Sequence, residues 1–183
     1  MIHIAPGLLL ISDPFLKDAN FSRSVVLICD HQSEGSFGFV LNKLYEHKLS
    51  DMLKTFDDID FPLFYGGPVQ TNTIHFLHKR PDLIEGGNKI IENIYWGGDF
   101  DEVATLIKEN KISNSDIRFF IGYSGWGENQ LKDELRTKSW IIRNANSSLV
   151  FNSSVDDIWG SALKDLGGEY AQMANYPLDP QLN

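Results

Sequence analysis

Two short stretches of this chain carry the residue types from which a chemical site could be built. In the first, Cys29, Asp30 and His31 are consecutive at the end of an aliphatic run. A thiol beside an imidazole can give up its proton and become a nucleophile or a redox centre. On a regular strand, residues two apart share a face, so Cys29 and His31 would meet. The commoner arrangement is a buried cysteine that packs as a small apolar residue. In the second stretch, Gly122, Tyr123, Ser124, Gly125 and Trp126 follow an apolar run at 117–121 and precede a helix-forming run at 130–135. Strand, tight glycine turn and helix is the setting of a hydrolase nucleophile elbow, Gly-x-Ser-x-Gly. The second glycine of that motif is missing here, because Trp126 stands in its place. A tryptophan there would hold strand and helix apart around the strained serine. A triad would also need an acid and a histidine brought close in the fold, for which Asp30 and His31 are the candidates. Ser124 is therefore read first as a hydrogen-bonding residue of the turn.

Other residues suggest binding and not reaction. Gly66, Gly67, Pro68 and Val69 lack the Lys and Ser/Thr of a phosphate-binding loop and the spacing of a dinucleotide fingerprint. They read as a sharp turn, or as a place where backbone approaches a ligand closely. Trp126 lies in the glycine stretch and off any helical stripe, so it is a candidate for stacking on a ligand. Gln130 and Glu134 share a helix face. The Gln130 amide could reach back to fix the glycine turn, or contact a substrate. Asn42 ends the strand neighbouring that of Cys29 and His31 and could join their cluster. The candidate ligand-binding set is thus Asn42, Gly66, Gly67, Ser124, Trp126 and Gln130, and it becomes a site only if these converge on one cleft. His75 and His78 are three apart, which on a strand sends them to opposite faces. His3 and His47 have no companion spacing. A zinc site needs three or four converging ligands, so neither a metal nor a cofactor is expected.

The elements that would position these residues read as follows. Residues 8–11, 24–30 and 37–42 form strands, the last two as a hairpin with Gly35 in its turn. Residues 49–56 form a short helix, and 73–79 and 90–96 two further strands. Asp99 with Glu102 three residues on resembles a capping arrangement before a helix carrying Phe100, Val103, Ala104 and Ile107. Residues 117–122 form a strand, 130–135 a helix and 139–143 a strand. Val155, Ile158, Trp159, Ala162, Leu163 and Leu166 make one apolar stripe, stopped by Gly167 and Gly168. A last helix covers 169–174. Trp159 belongs to that stripe and reads as core, and Trp140 as packing. Helices mix with hairpin-paired strands, so the fold is expected to be mixed α/β (α+β), not a doubly wound parallel sheet.

Length and charge narrow the functions. A chain of 183 residues is expected to form one domain, residues 1–183, with a real core. The net charge of −9 argues against direct DNA binding, which needs clustered Lys and Arg for phosphates. No apolar run reaches the roughly 20 residues of a membrane span. The single cysteine and an N-terminus without a basic segment fit a cytoplasmic protein. The sequons at Asn146 and Asn152 carry no weight in that compartment.

Four patterns in order carry a family resemblance. They are Gly7 to Leu10 with Asp13-Pro14 and residues 21–31; Gly35 to Asn42; Gly66 to Val69; and Gly122 to Trp126 followed by Gln130, Glu134 and Trp140. Together they resemble the YqgE/AlgH family of bacterial proteins over roughly residues 5–170. The resemblance implies a small, closed β-barrel-like sheet wrapped by helices. It implies no reaction, and it brings with it the description of some members as transcriptional regulators. The leading expectation is a binding or regulatory protein for an unknown small molecule or protein partner. The alternatives are an enzyme using Cys29 with His31, or Ser124, and a regulator of transcription acting indirectly.

Overall fold

The runs of Val, Ile, Leu and Phe fold as strands that share one sheet. The computed structural model describes residues 3–151 and 154–177; the Asn152 sequon lies outside them, as do residues 1–2 and 178–183 of the expected domain. The strands are β1 (Leu8–Ser12), β2 (Val25–Gln32), β3 (Gly35–Val40), β4 (Leu63–Tyr65), β5 (Val69–His78), β6 (Asn88–Ile91), β7 (Ile94–Trp96), β8 (Ile117–Gly127) and β9 (Trp140–Asn144). The helices are α1 (Leu49–Met52), α2 (Phe100–Lys108), α3 (Gln130–Arg136), α4 (Ser147–Val150), α5 (Ile158–Leu166) and α6 (Gly168–Met173). The fold is mixed α/β, as expected.

The sheet runs β6-β7-β5-β8-β3-β2-β1-β9, with β4 added to β8. The β4–β8 pairing is parallel; the ladders along the main path are antiparallel. The expected hairpin is present as β2 and β3, closing at Gln32 opposite Gly35. The expected single strand at 90–96 is a hairpin instead, β6 and β7, because Asn93 adopts a left-handed φ of 60° and reverses the chain. The expected helix at 49–56 is broken by Leu53 in an extended conformation, leaving α1 and a 3₁₀ turn at Lys54–Phe56.

The sheet curls strongly but, among the described residues, does not close: no ladder joins β6 to β9. This corrects the expected closed barrel. The ends meet through side chains, with Ile91 seated against Gly7 so tightly that a β-carbon there would overlap it. Helices line the same face: Ile158, Trp159, Ala162 and Leu163 of α5 join Leu9 of β1, Phe39 of β3 and Ile94 of β7 in one core. On the opposite face, α2 covers Phe76 and Phe119, while α3 covers Val26, Ile28 and Trp126. Asp99 caps α2, its carboxylate accepting the Glu102 N–H at 2.8 Å. Glu102 does not complete a reciprocal cap, since its carboxylate accepts the Glu85 N–H instead. Asn146 caps α4 through Leu149 N–H.

Candidate functional site

The glycine-rich motifs meet inside the sheet. Strand β8 lends successive stretches of one edge to two partners: Phe119 to Ile121 pair with β4, and Ser124 to Gly127 pair with β3. Gly66 sits at the changeover. Its N–H donates to Ile121 O at 2.9 Å, and its carbonyl accepts from Val40 N at 2.9 Å and Ser124 Oγ at 3.0 Å. A β-carbon on Gly66, Gly67 or Gly122 would overlap the backbone of the facing strand. The glycines therefore serve the approach of one backbone to another. The sequence reading of a turn over Gly122–Gly127 is corrected: the strand continues to Gly127, and the chain turns at Glu128 and Asn129. Ser124 is fully buried in mid-strand, which removes the elbow context. Asn42 bridges two strands, its Oδ1 accepting Val25 N–H at 2.9 Å and its Nδ2 donating to Arg23 O at 2.8 Å.

The Cys29 and His31 side chains do not share a face. The β2–β3 register slips between Ile28 and Asp30, leaving Cys29 as the unpaired residue of a β-bulge. A bulge breaks the two-residue alternation. Cys29 packs into the inner core with Leu27 and Phe39, whereas His31 pairs with Ser36 on the other side, Nδ1 to Oγ at 2.7 Å. Burial, and secondarily the Asp30 carboxylate, push the Cys29 thiol well above its usual value. It is held as a neutral thiol.

The indole of Trp126 packs under α3. Trp126 Nε1 donates to Glu134 Oε2 at 2.9 Å, and Trp140 Nε1 donates to the same oxygen at 2.7 Å. Gln130 Nε2 donates to Glu134 Oε1 at 3.0 Å, while Gln130 Oε1 accepts Gly127 N–H at 3.0 Å. One carboxylate thus ties two tryptophans and the start of α3 together. Phe21 stacks on Trp126 from the other side.

A cleft of about 640 Å³ opens on the inner face, where β2, β3 and the end of β8 meet β5 and β7. Phe37, His75, Trp96 and Tyr123 form its walls, and Asp30, Gln32 and Glu34 lie among its lining residues. The walls stand at steep angles: Phe37 meets Trp96 at 64° and Tyr123 at 78°, and His75 meets Tyr123 at 88°. Burial lowers the His75 pKa, and its Nε2 lies 3.0 Å from Thr73 Oγ1. Thr73 Oγ1 donates to Gln70 O, so the ring nitrogen is the donor in that pair. Among the described residues, no lysine or arginine lines the cleft. Of the sequence candidates, Trp126 touches it, though its indole is held by Glu134; Asn42, Gly66, Gly67, Ser124 and Gln130 do not. Of the wall residues, the sequence draws attention to His75 only as a metal ligand and to Tyr123 only as part of the glycine stretch, and it singles out neither Phe37 nor Trp96. Alternation along β3 puts Phe37 and Phe39 on one face and could have flagged Phe37. Nothing local to β7 marks Trp96.

This architecture defines a class: a curled, mostly antiparallel sheet with helices on both faces and an aromatic cleft on the inner one. A family model described as AlgH-like matches residues 9–171, and the chain belongs to the AlgH-like family. The UPF0301 protein of Chlorobium limicola is 42% identical over 180 residues, covering 98% of this chain and 96% of the relative. That of Cytophaga hutchinsonii is 41% identical over 181 residues, covering 98% and 100%. Protein DIP2367 from Corynebacterium diphtheriae, a crystal structure, is similar with a TM-score of 0.81 at 19% identity, covering 96% of this chain and 94% of that one. The solution structure of the AlgH protein from Pseudomonas aeruginosa gives 0.73 at 22%, covering 97% and 98%. At such identities the two structures speak for the fold alone.

Proposed function

We propose that this protein acts by binding, without catalysis, and that its ligand docks in the aromatic cleft. The supporting observation is the separation of the cleft from the nucleophile candidates. Cys29 is a buried neutral thiol, Ser124 is fully enclosed, and His31 opens on the other face, while the cleft itself offers ring walls and a few polar groups. That combination, at a volume of about 640 Å³, fits a small-molecule site. Any effect on transcription runs through this ligand or a protein partner, because a net charge of −9 disfavours phosphate contact. A lone buried cysteine fits work in a reducing cytoplasm.

The test is a thermal-shift screen of the wild type against a metabolite library. A ligand at about 100 times its Kd adds roughly 2.7 kcal/mol, which raises the melting temperature of a chain this size by about 5–10 °C. Trp96→Leu should abolish the shift and Ser124→Ala should keep it. A hit untouched by Trp96→Leu would move the site elsewhere, and chemical conversion of the hit would overturn the non-catalytic reading.

A further inference from the structure

We infer that the cleft selects a small molecule bearing an alkylated ammonium group, held against the ring walls with Asp30 and Glu34 supplying the opposite charge. This rests on the cleft being the ligand site and adds the chemistry of the ligand.

Three observations converge. The first is the walls. Phe37 meets Trp96 and Tyr123 edge to face, and all three rings line the same cleft, so its walls present rings in differing orientations. A compact cation placed among such rings meets the negative quadrupole of several of them, which is how aromatic cages hold quaternary ammonium groups. The second is charge. The formal charges on the lining are two carboxylates, Asp30 and Glu34, and neither has a basic ion-pair partner among the described residues. His75 adds no positive charge at neutral pH, since burial lowers its pKa. The third is the bulge at Cys29. It aligns Asp30 opposite Phe37, so that Asp30 lines the cleft and His31 faces away. Bulges re-aim side chains in this manner next to sites.

The choice among cations follows from hydration. A lysine-like ammonium is strongly hydrated and gains little from ring faces, whereas an alkylated one sheds water readily. A methylated head group fills only part of about 640 Å³, so the ligand carries a further body, in the range of an ordinary metabolite.

The experiment is a titration of the purified protein, followed by calorimetry and Trp fluorescence, with choline and with its neutral isostere 3,3-dimethyl-1-butanol. The isostere keeps shape and loses charge. Choline should bind roughly tenfold more tightly than the isostere, the scale set by a cation among ring faces with nearby carboxylates. Asp30→Asn combined with Glu34→Gln should weaken choline about five- to tenfold and leave the isostere unchanged, with more salt sensitivity in the wild type than in the variant. Trp96→Leu, which keeps an apolar side chain but removes the ring, should remove the preference. Equal affinity for both probes would overturn the inference while leaving the cleft as a binding site. Failure of both at millimolar concentration would overturn it too, and the metabolite screen then judges the cleft separately. Binding of a trimethyllysine peptide without choline would assign the cleft to a protein segment and overturn the small-molecule inference.

Discussion

Two regions of β8 lie a few residues apart and behave in opposite ways. At Gly122 and Ser124 the strand is pressed against Gly66 and Gly67, side chains are absent or buried, and the carbonyl of Gly66 accepts two hydrogen bonds. At Tyr123 and Gly125 the other face of the same strand borders an open cleft whose carboxylates, among the described residues, form no ion pair. The sequence motifs reach both regions: Gly66, Gly67, Gly122 and Ser124 meet at the crossing, while Phe37, Tyr123 and Gly125 border the cleft. Glycine and serine in such motifs report where backbone geometry is over-determined, and a binding surface is built beside them from the aromatic residues interleaved with them and from His75 and Trp96, which belong to no motif.

The comparison breaks first at the crossing. Gly67→Ala should cost more than about 3 kcal/mol, measured as a lower urea midpoint or as loss of soluble protein, because the new methyl overlaps the Ser124 backbone. A cost near zero would mean that the strands can part there and that the crossing is not rigid. Next comes the α3 anchor. Glu134→Ala orphans two buried indole N–H groups and should cost about 3 kcal/mol, with Glu134→Gln recovering roughly half, as urea curves would report.

Smaller effects sharpen the contrast. Trp96→Leu shrinks a half-buried side chain and should cost about 1–2 kcal/mol while removing ligand binding, so that a folded protein loses its ligand at the cleft, as it cannot at the crossing. Ser124→Ala removes one donor to a carbonyl that keeps Val40 N–H, and should cost about 1 kcal/mol with ligand affinity unchanged.

The smallest effect is on pH. Burial lowers the pKa of both His75 and His78 from 6.5. Below pH 6.5 the unfolded chain takes up protons that the folded one resists. Their contribution is therefore complete above that pH and is lost as pH falls through the folded values. Urea midpoints at pH 7.5 and pH 5 should show a modest drop, smaller in His75→Gln; an identical drop in that variant would remove His75 from the account.

Local signals were legible in the sequence and non-local ones were not. The β2–β3 hairpin, the Asp99 cap and the apolar stripe of α5 ending at Gly167 follow from neighbours in the chain, and the structure has each of them. The glycines of β8 read as a turn because Gly122, at a φ of 65°, is kept within the strand by partners more than about 50 residues away in sequence, including Gly66 and Gly67. Closure of the barrel turned on whether β6 reaches β9, and a side-chain contact at Gly7 fills that gap in place of a ladder. The bulge at Cys29 adds no residue type that announces it, yet it moves Asp30 to the cleft and His31 away.

The sharing of β8 among three partners has a consequence for synthesis. Before residues 117–127 leave the ribosome, the chain can form two ribbons, β1–β2–β3 and β5–β7–β6, with β4 held only by its short antiparallel bridge to the segment after β3. At about 5–20 residues per second, that wait lasts several seconds after the first ribbon is complete. Both ribbons expose edges that later belong to β8. The nascent chain is therefore most exposed to mispairing in its middle, and one eleven-residue strand ends the exposure for both halves together.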